Sequence, residues 1–244
     1  MPNSTVSRPF GITARAVSAA ALMLLLAVSQ AAYGKSKNRA PGFEAIPKGA
    51  VIAIMPSDIE LAEISAGGVF EPKADWTEAA TRYFRAALDQ RRSRLGIQSV
   101  QVSESDADEL AEVNALHAAV ARAISLHHFM AGDMSLPTKA GNLDWSMGQA
   151  VHAIKQKTGA DYAFFSWIRD SYASSERKAT MFLFALAGVG VPGGAQVGYA
   201  SLVDLNTGRV LWFNRLARVS GDLRKEEAAR ETLDTLLEDF PVTK

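Results

Sequence analysis

Four histidines, a trio of carboxylates and a glycine-rich loop are the residues whose types could do chemistry in this 244-residue chain. His117, His127, His128 and His152 are the candidates for a metal site or for proton transfer. Their spacing fits neither: His127 and His128 are adjacent and ten residues beyond His117, and there is no H-E-x-x-H element. Cysteine is absent, which removes thiolate ligands, thiol nucleophiles, disulfides and an amino-terminal lipidated Cys. The histidines therefore read as a polar helix end and partly buried rings, and no metal or other cofactor is expected. No G-x-S-x-G elbow occurs, so no catalytic residue is assigned. Arg169 and Asp170, at the end of an apolar stretch, read as rim charges.

Asp58, Glu60 and Glu63 follow the first apolar run, and open α/β sheets bind ligands beyond the carboxyl ends of their strands. With Phe70 they form the candidate contact set for a ligand or a partner, on a long loop over residues 57–73 that carries the Gly67-Gly68 pair. The Gly188 to Gly194 loop lacks the Lys-Ser/Thr pair and the following helix of a phosphate cradle, and Pro192 removes a donor, so a nucleotide is not expected there.

The elements that must position these residues follow from periodicity. Residues 35–49, with Pro41, Gly42, Pro47 and Gly49, read as a linker. Ala50 to Met55 is an apolar run of strand length closed by Pro56. From Asp75, a candidate cap, Trp76, Ala80, Phe84, Ala87 and Leu88 recur at helical spacing until Gly96. Ile97 to Val102 predicts a short strand. A second helix, capped by Ser103 or Ser105, runs to Leu126 with its acids in the first turn. A break over 128–143 precedes a third helix, capped by Asp144 and ending at Thr158-Gly159. Ala160 to Ser171 reads as a long strand. Gln196 to Leu205 and Arg209 to Val219 read as strands joined by the turn Asn206-Thr207-Gly208. Asp222 would cap a last helix ending at Pro241. The expectation is an α/β (α+β) fold: one domain over 50–244, a mixed sheet of about five strands with helices packed on it, in the order β-α-β-α-α-β-β-β-α.

Ala179 to Val203 is free of charge for 25 residues. Glycines and Pro192 interrupt it, so core packing of a short element over Met181 to Ala187, then a turn over 188–195, is preferred to a membrane span. A membrane-active or partner-facing segment over 179–195 is the alternative.

Lys and Arg total 26 and Asp and Glu total 26, a balance that argues against nucleic acid as a partner. The charges are unevenly placed. Arg8 and Arg15 precede the uncharged run Ala16 to Val28, and small residues follow, which is the pattern of a secretory signal peptide over 1–34. Ala31 and Gly34 are the candidate cleavage sites, and about 20 Å of helix in that run is short for a membrane core of about 30 Å. The expected location is the periplasm, without a lipid anchor.

Two segments add a resemblance. Thr158-Gly159-Ala160-Asp161-Tyr162, a helix end running into a strand, and the hairpin from Ala200 to Trp212 containing LVDLNTGRVLW resemble bacterial envelope proteins related to the CsgG secretion component, LpoB-type lipoproteins and the amino-terminal domain of TolB. Val51 to Pro56 is similar to their opening strand. The resemblance implies a mixed α/β sandwich and a non-enzymatic role in envelope assembly or secretion through contacts with another envelope protein. The alternating membrane hairpins of the secretion channel are not recognisable, so it does not imply a pore. The alternative functions are binding or hydrolysis of a small ligand through the loop 57–73, and membrane association through 179–195.

Overall fold

The structure, a computed structural model, describes residues 36–130 and 132–242. The expected signal peptide, with Ala31 and Gly34, lies outside the described residues. Seven strands form one mixed sheet: β1 (Val51–Ile54), β2 (Asp58–Ile64), β3 (Phe70–Pro72), β4 (Gln98–Gln101), β5 (Tyr162–Ala173), β6 (Gln196–Asp204) and β7 (Val210–Arg218). The helices are α1 (Ala74–Arg94), α2 (Glu104–Glu109), α3 (Ala111–Ile124), α4 (His152–Thr158), α5 (Ser175–Leu186) and α6 (Glu226–Leu236).

β5 is the spine. Along one edge it pairs first with β1 and then with β2, both parallel, so that these two strands act as one long strand broken at Pro56-Ser57. Along its other edge runs β6, antiparallel, with β7 outside it. β4 flanks β1 and β3 flanks β2. α1 and α6 cover one face. Ala80, Phe84, Ala87 and Leu88 of α1, and Ala229, Leu233 and Leu236 of α6, pack there on Ile52, Ile54, Leu61, Phe164, Leu202 and Trp212. α3 and α4 cover the other through Val113, Ala121, Ile124 and Ile154, against Ala53, Ala163, Phe165, Val203 and Phe213. The result is a three-layer sandwich with a core on each side of the sheet.

The two motifs that carry the family resemblance have local reasons. Gly159 adopts φ +68° and ends α4, and Asp161 then accepts a hydrogen bond from the Val51 amide at 3.0 Å, which pins the start of β5 to the start of β1. At the hairpin turn Gly208 adopts φ +74°, and a Cβ there would lie 2.1 Å from the Gly148 carbonyl oxygen. Asp204 accepts from the Asn206 amide at 2.7 Å inside the same turn.

Several expectations are corrected. The long loop over 57–73 is the β2–β3 hairpin. The run Asp58-Ile59-Glu60-Leu61 alternates polar and apolar, with Ile59 and Leu61 buried and the two acids exposed, and the mixed charge hides the strand. The observed order is accordingly β-β-β-α-β-α-α-α-β-α-β-β-α, with α5 inserted before β6. Residues 38–46 are not a free linker. The Phe213 amide donates to the Asn38 carbonyl and the Ala40 amide to the Leu211 carbonyl, both at 2.9 Å, and Ile46 is fully buried. The residue preceding α1 is Lys73, with Asp75 inside its first turn, and Ser103 caps α2 by accepting from the Asp106 amide. Asp144 caps no helix: residues 144–147 run beside the hairpin, with Ser146 bridged to Arg209, and helix begins only at Gly148. Likewise Asp222 binds its own neighbour Arg224 at 2.7 Å, and α6 starts at Glu226.

Candidate functional site

The structure separates the predicted contact residues. Side chains alternate along β2, so Asp58 and Glu60 face one side of the sheet and Glu63 the other. The Asp58 carboxylate accepts from Arg169 at 2.7 Å, and Glu63 pairs with Lys73 at 2.8 Å. Phe70 sits apart from them at the tip of the β2–β3 hairpin, 62% exposed. Of the four, Asp58 lines a cavity.

That cavity is a groove of about 490 Å³ between α3 and the sheet. It exists because the layers differ in length. The 12 residues of β5 extend about 40 Å, and the 14 residues of α3 about 21 Å, so the helix covers only part of its face. Where α3 lies on the sheet, His117 stacks on Phe165 at 3.8 Å and hydrogen-bonds Ser201 at 2.7 Å. One step along the strands the face opens, and a row of directly paired residues crosses four strands: Asp58, Trp167, Tyr199 and Arg215. The Trp167 and Tyr199 rings are stacked 5.3 Å apart, and Tyr199 continues on to Phe213 at 5.5 Å. Ala118, Arg122 and Ser125, spaced i, i+4, i+7, form the helical wall, and from Ser125 the helix continues as a π turn to Phe129. Burial pushes the Tyr199 phenol up to about 12.

The histidines disperse. His128 donates to the Lys37 carbonyl and His127 to the Met134 carbonyl, each at 2.7 Å, while His152 lies 3.3 Å from the Asn206 carbonyl oxygen. Desolvation lowers His117 to about 3, so its imidazole is neutral. Among the described residues no group of three or more His, Asp or Glu is placed to hold a metal ion.

Asp170 is the residue whose role sequence reasoning missed. It is 3% exposed rather than a rim charge. Tyr172 donates its hydroxyl to the carboxylate, Gln196 donates its side-chain amide at 2.7 Å, and the Leu223 amide approaches at 3.3 Å. Burial raises its pKa in spite of these donors. The cluster ties the end of β5 to β6 and to the approach to α6. Its partners are distant in sequence, so no local pattern announces it.

A second surface feature is α5. Met181 to Leu186 is helical, with Ala187 in the turn after it, and none of this segment is core. No residue of α5 is buried, and Phe182, Leu183, Phe184 and Leu186 stand 47–72% exposed. The helix is capped by Ser174, which accepts from the Arg177 amide, and the loop after it returns against β5 through hydrogen bonds from Ala173 to Gly193 and from Ser171 to Ala195. A Cβ on Gly194 would lie 1.9 Å from the Ser171 carbonyl oxygen, so this glycine permits a close backbone approach. Apolar composition predicts burial, and here the chain instead projects the helix from the end of the sheet.

The fold places the chain in the class of three-layer mixed α/β domains. No protein-family profile matches it, and no curated protein does. It is similar to solved structures of low sequence identity. The PelC dodecamer from Paraburkholderia phytofirmans is 13% identical with a TM-score of 0.40, over 84% of this chain and 95% of that one. Lipoprotein GNA1162 from Neisseria meningitidis is 14% identical with a TM-score of 0.29, over 69% and 81%. The LpoB C-terminal domain from Escherichia coli is 17% identical with a TM-score of 0.29, over 73% and 86%.

Proposed function

We propose that this chain is an exported, non-enzymatic component of the bacterial envelope that acts in the periplasm through contacts with another envelope protein, in assembly or secretion. The basic leader with its short apolar core and small following residues supports export. The observation that carries the reading is α5, which holds four large apolar side chains in water at the end of a sheet whose two cores are already filled. Burying what these side chains expose is worth on the order of 5 kcal/mol, a driving force for a partner rather than for folding.

Co-purification from envelope fractions tests this, comparing the wild type with Phe182→Asp and Leu186→Asp. A stoichiometric protein partner retained by the wild type and lost from both variants is the expected result. Recovery of the same proteins by all three would overturn it. The apolar residues lie on all sides of α5, which favours a second reading, membrane contact through 179–195. No helix among the described residues is long and apolar enough to cross a membrane, so this contact would be interfacial. Sedimentation with phospholipid vesicles in the absence of other proteins separates the two.

A further inference from the structure

We infer that the groove between α3 and the open end of the sheet is a binding site for a small amphiphilic carboxylate, an acid with a compact aryl or alkyl body. It is a site separate from α5, and the inference does not depend on the proposed protein contact.

The charge along the row decides the class of ligand. At one end the Asp58 carboxylate is already engaged by Arg169 at 2.7 Å, and the Arg169 guanidinium also lies 4.8 Å from the Trp167 ring. Arg169 balances that carboxylate, whose remaining field helps to raise the Tyr199 phenol. At the other end Arg215 comes from β7 and Arg122 from the facing wall of α3, and neither makes an ion pair among the described residues. Between them lies Tyr199, which is 7% exposed and lines the groove with a hydroxyl that makes no hydrogen bond among the described residues. That hydroxyl is free to donate into the groove, and an anionic oxygen placed against it would accept from it while facing the Arg122 guanidinium.

The rest of the groove is apolar, walled by Ala118, Met130, Trp167, Val197 and Ala217. Adjacent strands are about 4.8 Å apart, so Trp167 and Arg215, two strands away, are separated by about 10 Å of sheet. That span suits a ligand with its body against Trp167 and Val197 and its head at Tyr199 and Arg215. The volume lies within the 300–1,000 Å³ usual for small-molecule sites. A neutral apolar ligand would leave both arginines and the phenol unanswered, and a cation would face two like charges.

The probe pair 1-naphthaleneacetate and its neutral amide, 1-naphthaleneacetamide, tests the assignment by calorimetric titration of the exported chain. The acid is expected to bind saturably and at least tenfold more tightly than the amide. In the double variant Arg122→Gln, Arg215→Gln that preference should vanish, and Tyr199→Phe should weaken the acid several-fold and the amide less. Leu183→Asp in α5 should leave binding as it was. No saturable binding of the acid up to millimolar concentration would overturn the inference. So would equal affinity for acid and amide, a preference that survives the double variant, or loss of binding in Leu183→Asp.

Discussion

His117→Gln should change how this protein responds to acid. The imidazole is sealed between Phe165 and Ser201 and titrates near pH 3, against about 6.5 when the chain is unfolded. Between those values the unfolded chain takes up a proton that the folded one refuses. The stability present above pH 6.5 is therefore lost progressively as pH falls toward 3. The slope is half of its limiting value of about 1.4 kcal/mol per pH unit at pH 6.5 and approaches that value below it, so about 2.3 kcal/mol attributable to this ring disappears between pH 6.5 and 4.5. Glutamine can still reach Ser201 but does not titrate. At neutral pH the variant should be the less stable protein, having lost the stack on Phe165. Urea unfolding followed by tryptophan emission at pH 6.5, 5.5 and 4.5 reads both curves. His128, which burial also shifts downward, is present in both proteins and cancels. The expected result is that the wild type loses about 2.3 kcal/mol more than the variant over this range. Parallel curves would refute the reasoning.

Three further perturbations follow from the geometry. Gly208→Ala combines positive φ with a Cβ 2.1 Å from the Gly148 carbonyl oxygen, and thermal unfolding should show a loss of at least about 2 kcal/mol. Asp170→Ala strands the Tyr172 hydroxyl proton and the Gln196 amide in a buried place, while the Leu223 amide keeps the Tyr172 oxygen as its acceptor at 2.9 Å, and denaturant unfolding should show a cost of about 2–4 kcal/mol. By contrast Leu183→Asp, on an exposed helix, should alter stability by no more than about 0.5 kcal/mol in the same assay, whatever it does to partner binding.

The parts of the fold that were legible were those whose burial is periodic. α1 buries Ala80, Phe84, Ala87 and Leu88 on one stripe, and the hairpin of β6 and β7 announces itself through its turn. β2 was hidden because its exposed positions are charged and it is the partner strand, not its composition, that makes it a strand. α5 misled for the opposite reason: its composition is that of a core segment, while its environment is set by where β5 ends. Of the groove, Asp58 alone was nominated from sequence. Trp167, Tyr199 and Arg215 come from three strands, and only the register of the sheet aligns them. The same holds for Asp170, whose donors lie 2, 26 and 53 residues away.

The proposed contact with another envelope protein requires α5 to be a protein-binding surface. A photo-crosslinking residue placed at Leu186, the most exposed large side chain of that helix, in protein exported by living cells would test this most directly. A discrete cross-linked protein product that disappears when Phe182→Asp is added is the predicted result. Cross-linking to lipid alone, or no product at all while Leu186 remains in water, would contradict it.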